Sequence, residues 1–149
     1  MEWRGRGEEV ERYSLDSSVV VKWFSEEDDS EKALEMRDAF VRGDVELIVT
    51  PLLLCEVSNA LRYKPDFDSE KLKEAIDALM DLQMEVEVID KDLLKRSAEI
   101  AFDTGVTIYD AVPVAAAERR GALCVTADER TQYARMRGKY PVVLLKDFG

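Results

Sequence analysis

Four carboxylates stand out by their settings. Asp16 follows the apolar run YSL, and Glu56 sits inside LLLCEVSNAL. Asp110 follows Gly105 in GVTIYD, and Asp128 closes CVTAD. Taken singly, each has an ordinary use, because Asp at a helix start is usually a cap and a helical Glu usually faces water. The weight lies in the set. Ionised carboxylates that converge repel one another, so such a cluster takes up protons or needs a counter-charge. Oxygen-only donors suit Mg²⁺ or Mn²⁺, which accept a few carboxylates and fill their remaining octahedral positions with water. An ion held in this way can activate water and stabilise charge on a phosphate. Histidine is absent from all 149 residues. That excludes imidazole acid–base pairs, His-dependent triads and His-ligated zinc, and leaves carboxylates, hydroxyls, Lys, Arg or a bound ion.

The elements that must position these acids alternate short apolar runs with longer helical periods, the pattern of an α/β fold with a parallel sheet. Tyr13 to Leu15 reads as a first strand begun slightly earlier, with Ser17 or Ser18 capping the helix that follows. A helix over Ser30 to Arg42 ends at Gly43. Leu47 to Val49 is a second strand; Thr50 then caps, and Pro51 takes the first helical position of a helix reaching about Arg62. Asp68 opens a helix with a stripe of Leu72, Ile76, Leu79 and Met80, read as core. Val86 to Ile89 is the third strand, Asp90 to Thr104 a helix stopped by Gly105, and another helix runs from Ile108–Asp110 to Gly121. Leu123 to Thr126, a helix over Asp128 to Arg137, and a strand over Pro141 to Leu145 complete the chain. In an open parallel sheet the points after strands gather at the carboxyl edge, where ligands bind. All four acids fall at such points.

The bulk properties frame this reading. A chain of 149 residues with 46% hydrophobic content suits one globular domain, with residues 1–12 expected as a peripheral extension. No run approaches the roughly 20 apolar residues that cross a bilayer, and the charged start lacks the centre of a secretory signal, so the chain reads as cytoplasmic, without a membrane partner. Cys55 and Cys124 read as buried free thiols. The 36% charged content with few amides (Asn59, Gln83, Gln132) suggests a thermophile source. A net charge of −11 argues against a nucleic-acid partner, but its distribution softens the objection. Ile108 to Gly149 carries seven Lys/Arg against five Asp/Glu, whereas Met1 to Thr107 carries fourteen against twenty-seven. Arg119, Arg120, Arg130, Arg135, Arg137 and Lys139 are candidates for a basic rim beside the acids.

The segments YSLDSSVVVKWF, TPLLLCEVSNAL, TIYDAVPVAAAERRG and CVTADERTQYAR resemble the four acidic blocks of PIN domains, especially VapC-type toxins. The resemblance runs from about Tyr13 to Phe148, with LLKDF closing the chain. It implies a three-layer α/β/α fold with a central parallel sheet of about five strands. It also implies Mg²⁺- or Mn²⁺-dependent hydrolysis of RNA, a homodimer, and a VapB-like antitoxin partner. Carried over residue by residue, it makes Asp16, Glu56, Asp110 and Asp128 the catalytic, metal-binding acids and gives supporting roles to Ser17, Asn59 and Thr126. Arg130 is the arginine best placed to hold the RNA backbone. One departure is Pro113, where the family has an ordinary helix former. Proline costs about 3 kcal/mol in a helix interior, so this helix either starts close to Asp110 or bends there.

Other readings compete. A receiver-type phosphate-accepting domain also uses an acidic Mg²⁺ pocket, but it wants paired acids early, and Asp16 is followed by Ser17 and Ser18. A PIN-like protein that only binds partners is disfavoured because all four acids are present. A non-toxin RNA-processing PIN nuclease differs from a toxin in lacking an antitoxin gene immediately upstream.

Overall fold

The computed structural model describes residues 10–149. Five parallel strands form one sheet: β1 (Glu11–Leu15), β2 (Val45–Val49), β3 (Glu85–Val86), β4 (Leu123–Thr126) and β5 (Val142–Leu144), in the order β3-β2-β1-β4-β5. Counting outward from β1, the chain first builds one side of the sheet and then crosses to the other. The order therefore reverses between β1 and β4, the place where an open α/β sheet leaves a crevice at its carboxyl edge.

Alternation along the strands divides the core into two layers. Leu47 and Val49 of β2 join Val125 of β4 in one cluster with Val20, Met36, Leu53 and Val57. Ile48 and Cys124, one residue out of phase, join the other with Ile100, Val112, Ala116 and Met136. The first layer is covered by α1 (Ser17–Val20), α2 (Ser30–Arg42), α3 (Pro51–Arg62) and α4 (Ser69–Asp81). The second holds α5 (Lys91–Thr104), α6 (Ile108–Arg120) and α7 (Ala134–Met136). The expected three-layer α/β/α fold is the observed one. No single helix among the described residues is long and apolar enough to cross a membrane.

Local chemistry explains most element boundaries. The Thr50 hydroxyl accepts from the Leu53 N–H at 3.3 Å ahead of Pro51, and Asp68 and Asp90 cap α4 and α5 in the same way. Gly43 and Gly105 end α2 and α5 at φ of +85° and +81°, conformations that cost a residue with a Cβ.

Several expectations need correction. Glu11 and Arg12 pair with Val45 and Glu46 in β1, so they belong to the sheet and not to an extension; residues 1–9 of the expected extension lie outside the described residues. The third strand stops at Val86 because its partner β2 ends at Val49, where Thr50 starts a helix. Only the Glu87 N–H reaches further, to the Val49 carbonyl at 2.8 Å. Cys55 is exposed, while Cys124 is buried and both are free. The α4 stripe divides, with Leu79 buried and Met80 more than half exposed. Helix α6 runs unbroken through Pro113, its sixth residue. The carbonyl that loses its donor belongs to Tyr109, which is 60% exposed and open to water. Pro113's own carbonyl accepts the Ser14 hydroxyl at 2.7 Å, which ties α6 to β1.

The short edge strand is held by charge. Glu87 is 8% exposed and takes the guanidinium groups of Arg119 and Arg120, each at 3.1 Å. Arg119 also binds Asp90 and the Val88 carbonyl. Arg119→Ala removes this clasp and leaves a buried acid with one partner. It should cost about 2 kcal/mol, read as a lower denaturation midpoint at unchanged m-value; stability equal to the parent would refute the clasp.

Candidate active site

Asp16 is the residue after β1, and its N–H continues the ladder to the Val125 carbonyl at 3.0 Å. The strand therefore delivers this carboxylate to the crevice between β1 and β4. It is 7% exposed. It caps α1, accepting from the Ser18 N–H at 3.1 Å and from the Ser18 hydroxyl, with the Thr126 hydroxyl 3.4 Å away. The helix cap expected of Ser17 or Ser18 is thus Asp16 itself. Both donors bind Oδ2. Every fully enclosed side-chain oxygen among the described residues has a partner, and Oδ1 has none, so Oδ1 opens onto the crevice.

The other acids approach from three sides. Glu56 lies in the second turn of α3, half-buried, with the Ser17 hydroxyl near enough to favour its ionised form. Asp110 is the third residue of α6, where the Thr107 cap holds its N–H at 3.1 Å. Asp128 follows β4 and takes the Thr131 and Gln132 N–H groups at 3.1 and 3.3 Å. Charge couples the four acids pairwise. Burial pushes Glu56 up to about 7, helped by the charges of Asp16 and Asp110 and opposed by Ser17. Burial also raises Asp110, with Asp16 and Asp128 adding to it and Thr107 opposing. Asp16 is raised by burial and by Asp128 against its hydrogen bonds from Ser18 and Thr126. Among the described residues none of the four joins an ion pair, although acids elsewhere are widely paired.

The supporting residues divide. Ser17 reaches Glu56. Thr126 contacts Asp16 at 3.4 Å, accepts from the Asp128 N–H at 3.0 Å and bonds the Gln132 amide oxygen at 3.0 Å. Asn59 is exposed and makes no hydrogen bond to any of the four acids among the described residues. Arg130 is exposed beside Asp128. The wider basic rim does not form. Arg119 and Arg120 sit at the far end of α6, some 13 Å along the helix from Asp110, and serve the Glu87 clasp. Lys139 pairs with Asp103, and Arg135 donates to the Gly105 carbonyl at 2.6 Å.

Two positioning residues escaped the sequence reading. The Ser18 hydroxyl joins Asp16 to the Ala127 N–H, which donates to it at 2.9 Å. Gln132, 1% exposed, binds Thr126 through its oxygen and donates from Nε2 to the Asp110 carbonyl at 3.2 Å. Gln132 reaches inward because residues Glu129–Tyr133 form a π-helix and not the start of an α-helix, a difference that apolar periodicity does not register. The scarcity of amides was the one available signal for Gln132.

The donor set is all oxygen, with one carboxylate buried and unmatched by any base, and this fits a hard divalent cation such as Mg²⁺ or Mn²⁺. Among the described residues no three acids stand as a ready-made cage.

The PIN domain family matches residues 13–139. No curated protein matches the chain in sequence. Among solved structures, a toxin–antitoxin complex from Klebsiella pneumoniae is similar at a TM-score of 0.64 and 18% identity, covering 91% of this chain and 97% of that one. The sarcin-ricin-loop-cleaving toxin VapC20 of Mycobacterium tuberculosis is similar at 0.66 and 13% identity, covering 87% and 99%. A DNA-bound VapBC from Salmonella typhimurium is similar at 0.65 and 14% identity, covering 92% and 99%.

The raised carboxyls fix a pH response. Below the ordinary carboxylate range both folded and unfolded chains are protonated, and nothing changes. Between that range and about 7 the folded chain keeps the Glu56 proton while the unfolded chain has released it, so stability falls as pH rises. In chelator, the melting temperature should therefore drop by several degrees between pH 5 and pH 8, less steeply in Glu56→Gln. Added Mg²⁺ should raise it more at pH 8 than at pH 5. Equal metal shifts at both pH values would remove the anionic pocket from the account.

Proposed function

Because the chain belongs to the PIN-domain family of nucleases, we propose that it is a Mg²⁺- or Mn²⁺-dependent ribonuclease and the toxin of a VapBC-type toxin–antitoxin pair. The observation that carries this reading is the buried Asp16 carboxylate, which interacts through its charge with Glu56, Asp110 and Asp128 and is matched by no base. The cation, when bound, neutralises these charges, activates water and stabilises charge on the phosphate.

The chain's own residues do the rest. Asp16 would hold the ion, and the Ser18 bonds to its Oδ2 fix the direction of its carboxylate. Asp110 and Asp128 extend the anionic wall, and Gln132 ties their two segments together. Glu56 is raised to about 7 and is the acid of the set best suited to hold or pass a proton at neutral pH. Arg130 supplies positive charge for a phosphate at the edge of the site.

The solved toxin–antitoxin complexes support an antitoxin partner; a homodimer and cytoplasmic action on RNA belong to the same proposal. An antitoxin gene immediately upstream distinguishes the toxin from an RNA-processing nuclease of the same family.

Asp16→Asn and Asp110→Asn should each lower Mn²⁺-dependent RNA cleavage by at least about 100-fold with an unchanged circular dichroism spectrum, and excess chelator should silence the parent. Full activity in either variant, or in chelator, sinks the assignment. The ion-pair content and scarce amides also lead us to propose a thermophilic source; the purified chain should melt above about 65 °C, the upper end of the mesophile range.

A further inference from the structure

Gln132 is the one buried member of the chain's three side-chain amides; Asn59 and Gln83 are exposed. A buried amide is costly unless each of its polar atoms is bonded, and here the bonding has only one possible sense. The Asp110 backbone carbonyl can only accept, so the atom 3.2 Å from it is Nε2. Oε1 therefore faces the Thr126 hydroxyl at 3.0 Å and, having no proton, takes the one Thr126 carries. Thr126 in turn accepts the Asp128 N–H at 3.0 Å, and the Gln132 N–H donates to Asp128 Oδ2 at 3.3 Å. One residue thus touches the Asp128 carboxylate, the last residue of β4 and the first turn of α6. It does so from a π-turn, closed by the Tyr133 N–H on the Asp128 carbonyl at 3.0 Å. Such turns are rare in proteins and recur at functional sites.

We propose that Gln132 is a positioning residue that sets the affinity of the acidic pocket for its divalent cation, by fixing Asp110 and Asp128 relative to each other. The proposal rests on the metal-dependent nuclease reading and adds to it a group that acts only through the acids. Asp110 and Asp128 belong to different segments, and the charge of Asp128 acts on Asp110. Among the described residues no three acids form a closed cage. How well they converge on an ion therefore depends on what holds α6 against the end of β4. Thr107 cannot do this, because its bond to the Asp110 N–H is internal to the first turn of α6. The Ser14 hydroxyl ties Pro113 to β1 and not to β4. Gln132 spans the gap. Its neutrality matters equally. A lysine or arginine in its place would pair with the acids and compete with the cation, and a carboxylate could not donate to the Asp110 carbonyl. An apolar side chain would leave the Thr126 hydroxyl and that carbonyl without this tie.

The test is calorimetric titration of the RNA-free protein with Mn²⁺, so that binding is read apart from cleavage. Gln132→Met, close in length but apolar, should weaken Kd by about 10- to 100-fold. Arg119→Ala, at the far end of α6 and destabilising for another reason, should leave Kd within about twofold of the parent. A ¹⁵N spectrum of the parent in chelator gives a second reading, because the chain has only three side-chain NH₂ pairs. The Gln132 pair should exchange with solvent at least about tenfold more slowly than those of Asn59 and Gln83. It should also shift when Mg²⁺ is added, while the Gln83 pair stays. Unchanged Mn²⁺ affinity in Gln132→Met overturns the role, as does an equal loss in Arg119→Ala, which would trace the effect to stability alone. A Gln132 pair that exchanges as fast as the exposed two, or ignores Mg²⁺, overturns it even where Gln132→Met does not fold. Cleavage by the parent is scored separately. A parent that binds Mn²⁺ but cuts no RNA sinks the nuclease reading and leaves the role of Gln132 standing. A parent that cuts RNA with an Mn²⁺ affinity indifferent to Gln132→Met does the reverse.

Discussion

Repulsion among carboxylates that the fold brings together is the constraint on which this molecule turns. Burial raises three of the four; Glu56 feels the charges of Asp16 and Asp110, Asp110 those of Asp16 and Asp128, and Asp16 that of Asp128. Such an arrangement is unfavourable in an unliganded chain at neutral pH. It persists because the groups that hold these acids have ordinary structural duties. Asp16 caps α1, Asp128 caps the π-helix, Thr107 bonds the Asp110 N–H, and Ser17 lies near Glu56. Capping and chemistry are therefore not rival explanations for Asp16. One oxygen serves the helix and the other faces the crevice.

The sheet order makes this possible. Strand β1 lies between β2 and β4, so the segments leaving its two neighbours diverge to opposite faces. Glu56 arrives from α3 in the first layer and Asp110 from α6 in the second, and both meet Asp16 at the central strand's end. Two bonds keep the layers in register. The Ser14 hydroxyl fastens β1 to Pro113, and the Gln132 amide fastens the end of β4 to the first turn of α6. A proline in the second turn of α6 is tolerated because its lost partner is at an exposed carbonyl while its own carbonyl is taken by Ser14.

What could be read from residues alone follows from which interactions are local. Thr50–Pro51, Gly43 and Gly105 act within a few residues of themselves, so the helix limits they set are visible in sequence. Asp16, Asp110 and Asp128 stand out in sequence because each sits at a strand end or in a first helical turn, and Glu56 because it interrupts an apolar run. The length of β3 depends on where β2 stops, a fact remote in sequence. The π-helix at Glu129–Tyr133 shares its composition with an α-helix and differs only in the inward aim of Gln132. Ser17 and Ser18 are chemically identical neighbours, and only the backbone turn after β1 decides that one serves Glu56 and the other Asp16. Arg119 and Arg120 looked like part of a rim because they follow Asp110, but a helix carries them away from it.

Local charge, not net charge, decides where a strongly acidic chain can meet a polyanion. Ion pairs absorb charge over most of the molecule: Arg12 with Glu46, Lys64 with Glu27, Arg96 with Glu118, Arg119 and Arg120 with Glu87. At exposed sites such pairs add little stability individually. At the carboxyl edge of the sheet, negative charge in the crevice lies next to the positive charge of Arg130 and Arg137 just beyond Asp128. A net charge of −11 is therefore a poor guide to whether this protein meets a polyanion. What an approaching phosphate senses within a Debye length is the local pattern, and that pattern pairs an attractive lip with a hollow that only a cation can open to it.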